Sequence, residues 1–297
     1  MTLTQPQRGH LAMLGFSALV AGSFSLGSVA APFVDAAALT TLRFLIAALL
    51  VGIAAGLSGG LTRRMWAAPW RYGVLGALMA AYFVLMFEGL KTAPAVATAA
   101  VFTLTPVMSA GFGWVLLRQG LTLRMAVALA LGASGALWVI FRGDWAALTG
   151  FQLGRGEAIY FWGCVAHALY TPMVRRLNRG ESAIAFTFGT MLAGFGLLTL
   201  WAGPAVLATD WAALPAIVWW TLAYIAVVAS AITFVLVQYA SLRLPASKVM
   251  AYTYLTPSWV ILWELALGRE APPLVVSAGL GLTVVALWLL LQEPRPR

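Results

Sequence analysis

Ten stretches of the chain, residues 11–32, 36–57, 69–90, 94–117, 122–141, 155–177, 182–202, 214–241, 248–267 and 272–292, are apolar and poor in charge. Each is close to the ~20 residues an α-helix needs to cross the hydrocarbon of a bilayer. Gly, Pro and charge clusters such as "SGGLTRR", "FRGDW", "VRRLNRGE" and "GREAPP" separate them, and almost nothing remains for a soluble domain. The pattern predicts an all-α integral membrane protein of ten transmembrane helices.

Composition agrees. The chain is 62% hydrophobic and 9% charged, against about 25% charged residues in an average soluble domain. So few charges would not cover a soluble surface, whereas lipid solvates apolar faces directly. The polar start "MTLTQPQRGH" precedes an apolar run longer than the ~7–15 residues of a signal-peptide core, so an uncleaved first helix is expected. Cys164 is alone and can form neither an internal disulfide nor a cysteine metal cluster.

The net charge of +9 would suggest nucleic acid on a soluble protein. Its placement argues for topology instead, with no nucleic-acid partner. With ten spans and the N-terminus inside, thirteen of the eighteen basic residues, from Arg8, Arg63 and Arg64 to Arg295 and Arg297, fall on the cytoplasmic side. Lys91, Arg142, Arg155 and Arg269 fall on the other, and Arg43 lies within a span. An excess of Lys and Arg on one side sets orientation. Both termini are therefore expected in the cytoplasm.

The chain also repeats itself. At an offset of 151 residues, Pro94-Ala95 falls on Pro245-Ala246, Leu104-Thr105-Pro106 on Leu255-Thr256-Pro257, and Arg118 on Arg269. After one gap, Ala136-Leu137-Trp138 matches Ala286-Leu287-Trp288. Pro32 and Pro172 are each expected to close the first helix of a half. The reading is two five-helix halves, residues 1–150 and 151–297. Five is odd, so the second half enters from the opposite side. Such inverted repeats are typical of secondary transporters, with a central cavity between the halves.

Particular segments then resemble a known family. "TTLRFLIAALLVG" (40–52) and "GSFSLGSVAAP" (22–32) are similar to its second and first helices, with Ala21 in place of a usual Trp. "LTPVMSAGFGWVLLRQG" (104–120) and "ASKVMAYTYLTPSWVILWELALGREAP" (246–272) are similar to its fourth and ninth, with Gln119 aligned to Glu270. The chain resembles the drug/metabolite transporter superfamily, EamA type, along essentially its whole length. Within that superfamily it is most similar to YddG-like exporters of aromatic amino acids. The resemblance implies a ten-helix bundle, a central cavity between the halves, and export across a bacterial inner membrane.

Motifs for other chemistry are missing. Lys91-Thr92 follows Leu90, not glycine, so no ATP cradle exists. No His or Cys pair has metal-ligand spacing, no nucleophile motif occurs, and neither an enzyme nor a bound cofactor is expected. Arg43 lies about a third into its span, and intramembrane arginines usually face the bundle interior. It either holds helices together or binds a substrate carboxylate; the family's use of it across many substrates favours the structural role. Glu88 and Glu264 read as snorkelling or paired charges near helix ends rather than as proton carriers. His167 is the one histidine within a span and the best candidate for proton coupling.

Rings with a polar tip suit a cavity that stacks a flat side chain, and Met adapts to several shapes. On the ninth helix, i, i+4, i+7, i+11 spacing gathers Tyr252, Thr256, Trp259 and Trp263; its mate on the fourth includes Thr105 and Met108. Met79, Tyr82, Phe83 and Met86 share a face of the third helix, Tyr160 and His167 one of the sixth, and Trp162 lies deep in the sixth. The expected substrate-binding set is Tyr82, Met86, Thr105, Met108, Trp162, His167, Tyr252, Thr256, Trp259 and Trp263. Arg43, Pro106 and Pro257 are assigned structural or gating roles. Gly52-x-x-x-Gly56 permits close helix approach, within one bundle or in a dimer; a monomer is favoured. The sequence therefore predicts a secondary exporter of an amino-acid substrate, aromatic or large neutral, working in a lipid bilayer by alternating access. Multidrug or cationic-compound efflux is the alternative, and a non-transporting scaffold the second.

Overall fold

The computed structural model describes residues 4–150, 152–270 and 272–292, with Arg64 described by its backbone alone. Arg295 and Arg297, counted in the charge argument, lie outside the described residues. Among these residues there is no strand, and the chain forms ten helical rods. They are α1 (Gln5–Ala30), α2 (Ala36–Leu57), α3 (Trp70–Leu90), α4 (Ala95–Leu117), α5 (Leu123–Ile140), α6 (Arg155–Leu177), α7 (Ala183–Ala208), α8 (Ala216–Ser241), α9 (246–266) and α10 (Val275–Leu291). A short helix, Trp145–Thr149, lies between α5 and α6.

Seven rods, α1 to α5, α7 and α8, are long and apolar enough to cross a membrane unaided. The other three each depart for a visible reason. α6 carries Arg155, Glu157, Arg175 and Arg176 at its ends. α9 is interrupted by a 3-10 turn at Tyr252–Leu255, and α10 has 17 residues.

The starts are set by polar caps. Thr4 and Gln7 form a reciprocal capping box on α1, and the side chains of Asp35, Thr122 and Ser182 cap α2, α5 and α7. Pro32 sits in the 3-10 turn that follows α1, as expected. Pro172 does not close its helix. α6 runs on to Leu177 with Pro172 inside it, because the one hydrogen bond a proline removes leaves the neighbouring turns intact.

The rods pack in pairs: α2 with α7, α3 with α6, α1 with α8, α4 with α9, and α5 with α10. Each pair maps onto itself or onto another pair when every helix is replaced by the one five places along. Gly52 serves packing within this bundle, since a Cβ there would stand 2.7 Å from the Phe188 ring of α7.

The end carrying the N-terminus is tied across helices. Arg71 of α3 donates to the Leu177 carbonyl (2.7 Å) and to Glu181 Oε1 (2.7 Å). Burial alone would raise the Glu181 pKa. The Arg71 hydrogen bond and the Arg179 N–H (2.6 Å) outweigh it and hold the carboxyl below its ordinary value. A depressed carboxylate contributes stability above its unfolded pKa and loses it as pH falls through the folded one. Glu181→Gln leaves Arg71 buried without its counter-charge, a loss of about 3 kcal/mol. In detergent its apparent Tm at pH 7 is expected to fall by roughly 5–10 °C, and the parent's decline below about pH 4–5 should flatten. An unchanged melt at pH 7 would show that the pair contributes nothing.

Candidate functional site

Halfway along α1, α3, α6 and α8 the bundle encloses a hollow. α1 supplies Phe16 and Val20, α3 Met79, Tyr82 and Phe83, and α6 His167 and Tyr170. Ala229, Thr233, Phe234 and Val237 of α8 complete the wall. The free space is about 10 Å³, room for one water. A bulky solute would enter only if the helices part.

The wall is aromatic with a few polar tips. The His167 ring lies 4.5 Å from Tyr82, 5.2 Å from Phe102 and 6.3 Å from Tyr170, centroid to centroid. Its Nδ1 is buried and has no hydrogen-bond partner. Tyr160 donates to the Tyr82 hydroxyl at 3.1 Å. Gln238 donates to the Tyr170 hydroxyl at 3.0 Å. Among the described residues no group of three or more His, Cys, Asp or Glu could hold a metal ion.

Arg43 of α2 is fully buried just behind this wall. α8 opens into a π-helical stretch at Val227–Ile232, the kind of irregularity that frees backbone groups within a helix. Arg43 Nη2 donates to the Ala229 carbonyl there (2.7 Å), and Nε donates to Ser230 Oγ (2.5 Å). Its guanidinium stacks 3.3 Å from the centroid of the Phe83 ring.

The two Thr-Pro pairs meet elsewhere. α4 breaks at Thr103-Leu104 between segments Ala95–Phe102 and Thr105–Leu117, and α9 breaks at its 3-10 turn. The Phe102 carbonyl, freed by Pro106, accepts the Thr105 hydroxyl at 2.7 Å. In α9 the Thr253 carbonyl accepts the Thr256 N–H, while the Thr256 hydroxyl is buried without a partner. The hydroxyl that bonds back one turn is that of Thr253, to Met250 (2.8 Å). Thr105 and Thr253 hydroxyls lie 3.2 Å apart, so the two breaks touch.

Of the residues expected to bind substrate, Tyr82 and His167 line the hollow. Met86 is buried in the core and Met108 half-buried against it. The ninth-helix face turns toward α1 and α8 instead. Tyr252 reaches His10 Nδ1 at 3.1 Å, Trp259 Nε1 donates to Ser17 Oγ at 3.3 Å, and Trp263 packs edge-on against Tyr224 at 5.6 Å. Thr105 and Thr256 lie at the helix breaks. Trp162 is 66% exposed on the outside of the bundle, so it is no part of the hollow. A Trp deep in a spanning helix can equally face lipid, and depth alone does not give the face.

Sequence reasoning missed Phe16, Val20, Tyr170, Thr233, Phe234 and Val237. Tyr170 could have been found, three residues beyond His167 on the same face. The amide of Gln238, placed in the apolar run "FVLVQYA", marked the inner face of α8.

A bundle of long apolar helices with an aromatic hollow midway between its ends is the architecture of a polytopic membrane protein. The profile of the EamA-like transporter family matches the chain twice, over residues 7–141 and 154–292. The chain belongs to that family and is a multi-pass membrane transporter. It is 24% identical over 286 residues to the "Uncharacterized transporter YyaM" of Bacillus subtilis (strain 168), covering 95% of this chain and 92% of that one. A protein of known crystal structure superposes with a TM-score of 0.72 over 96% of both chains, at 22% identity, a likeness of fold alone.

Proposed function

We propose that this protein exports aromatic and other large neutral amino acids across the inner membrane by alternating access. The carrying observation is the hollow: flat rings from four helices surround it, with Tyr82, Tyr170, Thr233 and His167 supplying polar tips. Aromatic walls favour a flat apolar side chain, and few polar groups suffice to orient one. The near absence of free space suits an occluded resting state that opens by relative motion of two halves, 1–150 and 151–297. The self-mapping helix pairs and the double match to the family profile support ten spans and an inverted repeat. Without an ATP cradle, transport follows gradients, by facilitated export or proton exchange.

Counterflow of labelled L-phenylalanine into proteoliposomes preloaded with L-phenylalanine, L-leucine or glycine tests the reading. Acceleration by phenylalanine and leucine but not glycine is expected. Acceleration by organic cations alone would favour cationic-compound efflux, and no counterflow with any solute would favour a scaffold.

Orientation has its own test. Arg179 and Ala212 are exposed in the connections before and after α7. In a Cys164→Ser background on intact cells, an impermeant thiol reagent is expected to label Ala212→Cys and not Arg179→Cys. The reverse pattern would turn the protein over in the membrane.

A further inference from the structure

We propose that Arg43 is an anion site that takes the carboxylate of the transported molecule; the proposal rests on the hollow being the transport site. A guanidinium has five N–H donors. The structure uses two of them, Nε on Ser230 and one N–H of Nη2 on the Ala229 carbonyl. Nη1 is buried without any partner. The edge formed by Nη1 and Nη2 is therefore left with N–H groups in the fork geometry that matches a carboxylate.

The charge balance points the same way. Among the described residues two arginines are fully buried, and they are treated differently. Arg71 has Glu181 at 2.7 Å. Arg43 forms no ion pair among the described residues; a neutral hydroxyl, one carbonyl and the face of Phe83 are what it has. A bare cation at membrane depth is costly, and a π-face offsets only part of that cost. A structural cross-link between α2 and α8 would not require a free donor edge. An arriving anion would complete the site.

Position completes the case. Phe83, on which the guanidinium stacks, and Ala229, whose carbonyl it holds, both line the hollow. A carboxylate on Arg43 would leave its side chain among Tyr82, His167 and Phe234. The π-helical stretch gives α8 the slack to move with the bound anion. The site would select carboxylate-bearing aromatics and exclude the corresponding amines.

Equilibrium binding to the purified full chain in detergent tests this with three labelled probes: L-phenylalanine, 3-phenylpropionate and 2-phenylethylamine. The two carboxylates are expected to bind, and the amine at least about tenfold more weakly. Arg43→Gln should weaken both carboxylates about ten- to a hundredfold. Arg43→Lys, which keeps the charge and loses the fork, should fall between. If Arg43→Gln does not fold, the parent's probe ranking and Arg43→Lys decide. The proposal is overturned if the amine binds as tightly as the carboxylates, if a folded Arg43→Gln keeps parent affinity, if Arg43→Lys binds as the parent does, or if the parent binds no carboxylate. Binding of 3-phenylpropionate without L-phenylalanine would keep the anion site and remove the amino-acid reading. Binding of L-phenylalanine that is indifferent to Arg43 would do the opposite.

Discussion

Gly156→Ala is expected to cost most of the folded, transport-competent protein. Helices α3 and α6 cross in backbone contact at Gly89 and Gly156. A Cβ on Gly156 would overlap the Gly89 carbonyl oxygen and stand 2.7 Å from Ala93 N; one on Gly89 would stand 2.7 Å from the Gly156 carbonyl oxygen. These obstacles are backbone, which cannot swing aside as a side chain would. The helices must separate, and they carry Met79, Tyr82, Phe83, His167 and Tyr170 of the hollow. Overpacking of this kind costs about 3 kcal/mol, and small residues are what let membrane helices approach so closely. An apparent Tm lowered by roughly 5–10 °C is expected, with transport lost at growth temperature. Gly196→Ala in α7 is the control, since a Cβ there meets nothing within 4 Å. It should be neutral or gain up to about 1 kcal/mol of helix propensity. Equal behaviour of the two variants would mean that the α3–α6 crossing has room to spare.

Helix positions were readable because lipid imposes a length, and length survives without knowledge of contacts. α2 (Ala36–Leu57) and α6 (Arg155–Leu177) fall on the apolar runs residue for residue. The misses have local causes. α1 begins at Gln5, not at residue 11, because its first turn is a polar capping box with Pro6. α7 continues to Ala208, with Pro204 inside it, beyond the apolar run that ends at residue 202. The inner faces were far less readable. A helix that is apolar all round has no stripe to mark its buried side. Thus Phe16 of α1 and Phe234 of α8 gave no sign, and Trp162 pointed outward. Arg43 was suspect from its charge alone, but its partners lie some 186 residues away, in a π-helical stretch that no motif announces.

Cutting the tie between α4 and α9 is expected to shift which end of the transporter is open. At the end carrying the N-terminus, Gln119 Oε1 accepts the Ala246 N–H at 3.1 Å and so caps the start of α9. Gln119 itself is anchored through its N–H to the Gly113 carbonyl at 3.2 Å. At the other end a recess of about 560 Å³ opens between residues 90–97 and a wall of Arg269, Glu270, Pro272, Pro273 and Val276, and Glu270 and Ala95 both line it. The 151-residue offset pairs Gln119 with Glu270 and Ala246 with Ala95. In the state where this recess closes, Glu270 is therefore expected to cap the Ala95 N–H as Gln119 now caps Ala246. Loss of one such cap is worth about 1 kcal/mol, or roughly fivefold in a two-state equilibrium. Val96→Cys, half-buried in the recess wall of a Cys164→Ser protein, reports the open fraction by its rate of thiol labelling. Gln119→Ala should slow that labelling by up to about fivefold, the full factor applying when the open state is the minor one; Glu270→Ala should not slow it, and the double variant should return to the parent rate. Both single variants should export more slowly, since a full cycle needs each end to seal in turn. If Gln119→Ala leaves labelling unchanged, or if Glu270→Ala fails to restore it in the double variant, the two residues are independent helix caps and the closing of the two ends is governed elsewhere.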